Sequence, residues 1–384
     1  MQRWSVSRRG LLAAAGLASL SAGVDARAAP GRANGPLIVN ALGGLDNPNM
    51  ALTRPSGPPA DTASPDVDER AIADALASGL TAVNITLGYV AGPEDPFDYT
   101  VRTIGVWDRI LRDRPTSLIK VDHAADIIRA HDEGKVGVIY GFQNAVQIGS
   151  DLRRIDTYGD LGVGVIQLTY NPANPLGDGS MAAENRGLTA FGREAVARLN
   201  ARRIMVDLSH SGERTCLDAI AASRQPISIN HTGCRALTDL PRNKTDAELR
   251  GVAERGGFVG IFFMPFLNLS GHPTAADVVE HIDHAVNVCG EDHVGVGTDG
   301  DVTAIDDLAA YQDHLAQEVA DRAKAGIGAR GERADTYPFV VDLRGVDQFH
   351  KLQALLRARG YSTGRIEKIL GLNFVAFAHE VWGG

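Results

Sequence analysis

The feature of the sequence that most constrains the fold is a series of short apolar runs, each bounded by polar residues or glycine. Runs of this length predict buried β-strands. They show little alternation of polar and apolar residues, so we expect both faces of each strand to be covered, as in a parallel sheet. The eight runs are Leu37–Val39, Thr81–Leu87, Val136–Tyr140, Val163–Thr169, Ile204–Leu208, Pro226–Asn230, Phe258–Phe263 and Val294–Gly297.

Segments with helical spacing of apolar residues separate the predicted strands. Eight repeats of strand and helix close most naturally into a (β/α)8 TIM barrel, an α/β fold whose chemistry lies at the C-terminal ends of the strands. The strand count alone leaves a doubly wound open sheet as the alternative. We expect one domain over residues 29–384. The predicted helices are Glu69–Ser78, Ala124–Glu133, Ala190–Ala201, Glu213–Ala222, Asp246–Glu254 and Ala275–Val288.

The N-terminal 28 residues have the pattern of a secretory signal peptide rather than of part of the fold. Arg8 and Arg9 precede a mild apolar run from Leu11 to Leu20, and Ala26-Arg27-Ala28 matches a small-x-small cleavage site. The adjacent arginines resemble a twin-arginine signal, which exports folded proteins. The apolar run is shorter than the roughly 20 residues that span a bilayer. We therefore expect a periplasmic or secreted protein without stable membrane insertion.

The net charge argues against nucleic acid as a partner, and the cysteine spacing argues against a cysteine metal site. The net charge is −9, and lysine and arginine form no cluster, which argues against nucleic acid as a partner. Cys216, Cys234 and Cys289 lack the spacing of a metal site. They are interpreted as core thiols or, at most, as one disulfide with one cysteine left over.

Two histidines and a carboxylate follow predicted strands five, six and eight. These are His210, His231 and Asp299. If the strands close into a barrel, the three side chains converge on one mouth, and three protein ligands with an open position are typical of catalytic zinc. The alternative is that each histidine is a hydrogen-bonded structural residue. The remaining strand ends carry Asn40, Thr86, Gln143, Tyr170 and Met264, with Asp301 just beyond Asp299.

Arg242 has two interpretations. Thr245 to Glu248 form a capping-box pattern that starts the next helix, so Arg242 could be a surface charge in the preceding turn. It could instead bind a substrate carboxylate, because its planar fork pairs with carboxylates through two hydrogen bonds. Asp301 is likewise either a reserve proton carrier or a solvated loop carboxylate.

Several motifs carry a resemblance to a known family. In order and spacing, the chain resembles the membrane (renal-type) dipeptidases, peptidase family M19 of the amidohydrolase-like barrels. The likeness covers most of the chain after residue 28. The motifs that carry it are Val206–His210, Asn230–Thr232, Pro241–Asn243, His293–Asp299, Gly187–Gly192, His281–His284 and Ile369–Asn373.

The resemblance implies a (β/α)8 metallohydrolase that cleaves dipeptides with two zinc ions bridged by a glutamate. It implies that His210 and His231 bind one ion and that Asp299 is both a ligand and the proton shuttle. It also implies that Arg242 holds the substrate carboxylate. Homodimers are common in such a family, although no residue pattern in this chain indicates an interface.

This sequence departs from the family pattern around the first metal. Val39–Gly44 lack the expected His-x-Asp pair, Gln143 stands where the bridging glutamate belongs, and Tyr170 replaces a histidine thought to contact substrate. An amide offers one neutral carbonyl oxygen and a donor group that repels cations. Two divalent ions facing so few carboxylates would repel each other strongly. We therefore expect one zinc or similar divalent ion per chain, with Asp46 as the remaining substitute ligand for a second.

Three functions remain open from the sequence. The first is a metal-dependent hydrolase of a dipeptide or a related small amide, using a metal-activated water. The second is a dipeptidase-like barrel that binds small peptides but has lost the reaction. The third is a hydrolase of an ester, a lactone or a non-peptide amide, because Tyr170 and Gln143 alter the region where a substrate amine would lie. A polar helix from Asp306 to Lys324 leads into a loop, residues 326–335, which could form a lid or an interface.

Overall fold

The computed structural model of the chain describes residues 35–52 and 65–383. The predicted signal peptide, residues 1–28, lies outside the described residues. Within the described ranges, no helix is both long enough and apolar enough to cross a membrane.

The strands of the described residues form one parallel sheet of nine strands. Eight of them follow one another in the order β1-β2-β4-β5-β6-β7-β8-β9, and β3 pairs with β4 beside this path. Each of the eight predicted apolar runs contributes a strand to the path, so the strand prediction is confirmed. The strands are β1 Val39–Asn40, β2 Ala82–Thr86, β3 Leu118–Val121, β4 Val136–Phe142, β5 Val163–Gln167, β6 Met205–Asp207, β7 Ser228–Thr232, β8 Phe258–Ile261 and β9 Val294–Val296.

The sheet closes between its last and first strands. The Ala41 N–H donates to the Val296 carbonyl oxygen at 2.9 Å, and the Thr298 N–H donates to Asn40 Oδ1 at 2.8 Å. Asn40 Nδ2 in turn donates to Thr298 Oγ1 at 2.8 Å. The sheet is thus a nearly closed barrel, which confirms the predicted (β/α)8 fold and excludes the open doubly wound sheet.

Strand β3 was not predicted. It pairs with the first part of β4, from Leu118 opposite Val136 to Val121 opposite Ile139. Strand β5 pairs with the later part of β4, from Tyr140 onward, with a register shift between Tyr140 and Gly141. The extra strand therefore lies beside the start of β4 and leaves the ring of eight strands uninterrupted.

Helices connect the strands on the outside of the sheet. All six predicted helices are present, with ends that agree within one residue, and the predicted polar segment 306–324 forms α10. The helices are α1 Pro48–Leu52, α2 Glu69–Ala77, α3 Pro96–Asp113, α4 Ala124–Asp132, α5 Arg153–Asp160, α6 Ala190–Ala201, α7 Glu213–Ala222, α8 Asp246–Ala253, α9 Ala275–Cys289, α10 Leu308–Lys324, α11 Gln348–Ala358, α12 Thr363–Glu367 and α13 Asn373–Trp382, with single turns at Val146–Ile148, Pro265–Leu267 and Lys368–Leu372.

The barrel end where the strands begin is covered by α13. Phe374 and Trp382 pack with side chains of the barrel such as Val39 and Met205 in one apolar cluster. Trp382 Nε1 donates to the Gly164 carbonyl oxygen at 3.0 Å, near the start of β5. The opposite end, where the strands finish, is consequently the one that can hold a site. Elsewhere in the core, all three cysteines are buried and free, so no disulfide forms.

Glycines allow the close approach of the last strands to β7. A Cβ atom placed on Gly260 or Gly297 would overlap the carbonyl oxygen of Asn230 in β7. The overlap is with backbone, which cannot rotate away as a flexible side chain could. The glycines of the His293–Asp299 motif therefore serve the packing of the barrel interior.

We predict that Gly297→Ala lowers the free energy of unfolding by about 2 kcal/mol or more, because overpacking a core commonly costs about 1–3 kcal/mol and here meets backbone. Gly105→Ala in α3 is the matched control, because a Cβ there meets no atom within 4 Å. Alanine inside a helix should leave stability unchanged or raise it by up to about 1 kcal/mol. Denaturant unfolding of both variants measures the difference, and equal stabilities would contradict the packing role of Gly297.

Candidate functional site

A cavity of about 340 Å³ opens at the C-terminal ends of the strands. The structure brings the predicted site residues together at this cavity. His231 is fully buried directly behind it, with its ring centroid 4.9 Å from that of His210. The predicted residues that line the cavity are Gln143, Tyr170, His210, Met264, Arg242, Asp299 and Asp301.

His210 is oriented by an amide that sequence reasoning missed. The Asn171 side chain donates through Nδ2 to the Ile327 carbonyl oxygen at 2.7 Å, which directs Oδ1 toward His210 Nδ1 at 2.7 Å. An amide oxygen only accepts, so Nδ1 carries the hydrogen and Nε2 keeps its lone pair. Within the described residues, Nε2 is buried and has no hydrogen-bond partner.

His231 offers a second buried imidazole. Neither ring nitrogen has a hydrogen-bond partner among the described residues, and Nε2 lies 4.0 Å from Asp299 Oδ2. Burial lowers the pKa of both histidines well below the usual value, and the nearby Arg242 guanidinium lowers it further. Both imidazoles are therefore neutral, which is the form that binds metal.

A buried carboxylate, Asp207, ties the two histidine-bearing strand ends together. Its Oδ1 accepts the Ser209 N–H at 3.0 Å, the Ser209 hydroxyl at 2.5 Å and the Asn230 N–H at 3.0 Å. Ser209 Oγ in turn accepts the His231 N–H at 3.0 Å. The backbone positions of His210 and His231 thus depend on one carboxylate, which sequence reasoning treated only as part of a motif.

Asp299 follows β9 in a left-handed backbone conformation with φ of 59°. Non-glycine residues adopt this conformation rarely, and mainly as Asn or Asp. The side chain is 19% exposed, and burial raises its pKa to about 6, although Arg242 and Arg322 favour the charged form. From this turn the carboxylate comes within 4.0 Å of His231 Nε2.

One pair of donor atoms in this set, on His231 and Asp299, is close enough to bind the same divalent ion. Two ligand atoms that each lie about 2.1 Å from one ion are at most about 4.2 Å apart. The 4.0 Å between His231 Nε2 and Asp299 Oδ2 lies within that limit. Across residues 35–52 and 65–383, however, no three His, Cys, Asp or Glu side chains are gathered closely enough to form a complete metal site. The three residues therefore stay a candidate ligand set.

Two amides stand where the family resemblance would place ligands of the first metal, Asn40 on the first strand and Gln143 after β4, and both are already hydrogen-bonded. Asn40 and Thr298 satisfy each other across the barrel seam. Gln143 Nε2 donates to Thr86 Oγ1 at 2.8 Å. Asp46, the substitute ligand considered from the sequence, donates its backbone N–H to Asp301 Oδ1 at 2.9 Å, and burial beside Asp46 raises the pKa of Asp301 to about 8.

Arg242 is buried, with 1% of its surface exposed, so the surface-charge interpretation is wrong. The capping box of α8 is present as predicted, with Thr245 and Glu248 bonding reciprocally. Arg242 Nη1 donates to the Ser209 carbonyl oxygen at 2.5 Å, whereas Nη2 is buried without a partner among the described residues. A buried guanidinium with a free N–H group at a cavity is suited to bind an anion.

Tyr170 stacks on His210, with ring centroids 4.2 Å apart and an interplanar angle of 21°. Its hydroxyl accepts hydrogen bonds from both Nη atoms of Arg322, each at 3.2 Å. Arg322 belongs to α10 and pairs with Glu332 in the following loop. Both residues line the cavity. Sequence reasoning missed them because they lie well beyond the last strand in the sequence, and the segment that contains Arg322 shows only a polar helical pattern.

Comparisons with known proteins agree with this architecture. The sequence profile of the family described as membrane dipeptidase (peptidase family M19) matches residues 73–326. An uncharacterized dipeptidase from Schizosaccharomyces pombe is 32% identical over 239 residues, which cover 59% of this chain and 57% of the relative. The chain thus spans little more than half the length of that curated relative.

Solved structures show the same fold. An amidohydrolase from Pseudomonas aeruginosa superposes with a TM-score of 0.75 at 31% identity, covering 91% of this chain and 97% of that chain. A metallo peptidase from Rhodobacter sphaeroides, liganded with a phosphinate mimic of the dipeptide L-Ala-D-Ala, gives a TM-score of 0.70 at 21% identity, with 90% and 99% coverage. The profile match, which spans more than half of the chain, establishes the relationship: the chain belongs to the membrane dipeptidase family, peptidase family M19, a family of hydrolases.

Proposed function

We propose that the protein is a metal-dependent hydrolase that cleaves a dipeptide or a related small amide with one divalent ion, zinc by preference. The observation that carries the proposal is the pair of buried imidazoles, His210 and His231, whose Nε2 atoms lack partners among the described residues. A buried polar atom without a partner is costly unless a ligand satisfies it. With the Asp299 carboxylate, these nitrogens supply a donor set that suits zinc.

The residues around the donor set have separable tasks. Arg242 binds the substrate carboxylate through its free Nη2 while Ser209 holds Nη1. Asp299 passes a proton to the leaving amine, because its carboxylate lies at the cavity beside His231, with Oδ2 4.0 Å from Nε2. A bound ion supplies Lewis-acid activation of a water molecule and of the scissile carbonyl.

Support for one ion rather than two comes from the barrel seam. Asn40 is bonded to Thr298 through both its amide atoms, and Gln143 is bonded to Thr86. These neutral groups bring no charge to offset a second divalent cation. A barrel that binds small peptides without cleaving them is the second candidate, because the same seam lacks the carboxylates of the family site.

We predict that His231→Gln weakens zinc binding by at least about a hundredfold, because loss even of residues that merely orient a ligand costs about 10–100-fold. His284→Gln is the matched control, since His284 lies on α9 and bonds Asp246 at 2.7 Å. Metal titration of both purified variants by calorimetry measures the affinities. Equal affinities would contradict the assignment of His231 as a ligand.

We predict that chelation of the metal abolishes cleavage of dipeptides and that zinc restores it. The reaction needs the ion to activate water, so no residual turnover is expected beyond the uncatalysed rate. The measurement is a dipeptide panel assayed before chelation, after chelation and after zinc is returned. Binding of dipeptides that is unchanged by chelation, with no turnover in any state, would instead support the binding protein.

We predict that Gln143→Glu leaves the metal content at one ion per chain. The added carboxylate faces a seam in which Asn40 remains bonded to Thr298, so the other ligands of a second ion are still missing. Elemental analysis of the zinc-saturated variant and of the unmodified protein gives the stoichiometry. Two ions per variant chain would show that Gln143 alone limits metal loading.

We further propose that the protein is exported in the folded state through a twin-arginine signal, supported by Arg8-Arg9 and the Ala26-Arg27-Ala28 pattern. Replacing both arginines by lysine is expected to retain the protein in the cytoplasm. Fractionation of cells that express the full chain and the double variant provides the measurement. Equal amounts outside the cytoplasm would contradict this route.

A further inference from the structure

A guanidinium from α10 controls the hydrogen bonding of Tyr170. Arg322 Nη1 and Nη2 both donate to Tyr170 Oη at 3.2 Å. Glu332 fixes the guanidinium from the other side, accepting from Nε at 3.0 Å and from Nη2 at 2.7 Å. The side chains of Arg322 and Glu332 are only 25% and 15% exposed, so this arrangement is a built part of the cavity wall.

The hydrogen-bonding capacity of the Tyr170 hydroxyl is therefore restricted. A phenol oxygen has two lone pairs and one hydrogen. Both lone pairs are occupied by the Arg322 N–H groups, and no residue of the described ranges accepts the hydrogen. Tyr170 can act toward a ligand only as a donor. The group of the ligand that meets it must be a hydrogen-bond acceptor, such as a carbonyl oxygen, and not an ammonium group.

Arg242, another cation of the cavity wall, is also a donor. Its Nη2 is free among the described residues. The two guanidinium groups, of Arg242 and Arg322, both line the cavity. A positively charged α-ammonium group placed beside Tyr170 would thus meet donors and like charge, whereas a neutral acyl group would be accepted.

The carboxylates of the cavity do not compensate for this arrangement. Asp299 belongs to the candidate metal ligands, and Glu332 is paired with Arg322. Asp301 accepts the Asp46 N–H and lies against Gly44, in the space that a side chain at position 44 would fill. Glu318 on α10 lines the cavity as well, but the residue is exposed, so solvent and salt screen its charge. In the described residues, no carboxylate contacts the Tyr170 hydroxyl.

We propose that the site selects N-acylated substrates, namely dipeptides whose α-nitrogen carries an acyl group, and that Arg322 determines this specificity through Tyr170. The inference rests on the proposed function, because it names the substrate class of the same site. The acyl carbonyl accepts the Tyr170 hydroxyl hydrogen while the opposite carboxylate of the substrate pairs with Arg242. Free dipeptides lack the acceptor and carry an ammonium group instead.

The test uses the matched pair L-Ala-L-Ala and N-acetyl-L-Ala-L-Ala. Binding of each to the metal-free protein, without the signal peptide, is measured by calorimetry, and kcat/KM for each is measured after zinc is added. We expect at least about a tenfold advantage for the acetylated peptide in both measurements, as one unsatisfied polar group typically causes. Equal or better binding of the free dipeptide, or binding of neither, overturns the proposal.

Two variants assign the selectivity to the named residues. Arg322→Met frees the lone pairs of the Tyr170 oxygen, so the free dipeptide should bind better and the preference should fall to about threefold or less. Tyr170→Phe keeps the ring on His210 and should weaken only the acetylated peptide. Lys324→Met is the matched control, because it removes a cation from the same turn of α10 without contacting Tyr170, and the preference should persist. A preference that survives in both Arg322→Met and Tyr170→Phe overturns the assignment.

The outcomes separate this inference from the proposed function. If the acetylated peptide binds preferentially but neither peptide is cleaved with zinc present, the proposed hydrolysis fails and the specificity stands. If both peptides are cleaved and the free dipeptide is preferred, the proposed function stands and the specificity fails.

Discussion

The buried Asp207 carboxylate is the interaction on which the site depends. It lies at the end of β6 and receives hydrogen bonds from Ser209 and from the backbone of Asn230 in β7, so that it joins two neighbouring strands where their main-chain pairing is sparse. Through Ser209 the same network reaches the backbone of His231 and the guanidinium of Arg242. The proposed metal ligand His231 and the proposed substrate anchor Arg242 are thereby held by one set of bonds, which a shift of either strand would disrupt.

Electrostatics supports the proposal that this member of the family binds one metal ion rather than two. The seam between β1 and β9 is closed by the amide of Asn40, a neutral group that is fully used in bonding Thr298. The cavity also receives two guanidinium groups, from Arg242 and Arg322. A site with this balance of charge tolerates one divalent ion more readily than two. The seam that completes the barrel therefore also limits the metal chemistry at its mouth.

The sequence predicted the barrel because eight apolar runs alternate with helical segments along most of the chain. This repeated pattern fixes the type of each element before the elements pack together. It placed His210, His231 and Asp299 at one mouth for the same reason, since parallel strands end at one edge. It could not predict β3, whose run contains Lys120, nor the roles of Arg322 and Glu332. Those two residues reach the cavity only through the path of α10 across the barrel mouth, which leaves no periodic signal. The sequence also did not predict the burial of Arg242, because an arginine in a turn is usually exposed to solvent.

The segment around α10 packs through an aromatic and aliphatic cluster of its own, in which Ile305, Tyr311 and Leu315 contact Tyr337 and Phe339. This cluster is separate from the cores that hold the strands. Substitutions inside this cluster therefore act on the wall of the cavity before they act on the strands, and they reach the site through the Ile327 contact to Asn171 and the Arg322 contact to Tyr170. Related proteins that keep the two histidines could thus differ in substrate preference through changes in this segment alone. The barrel that positions the histidines would stay the same.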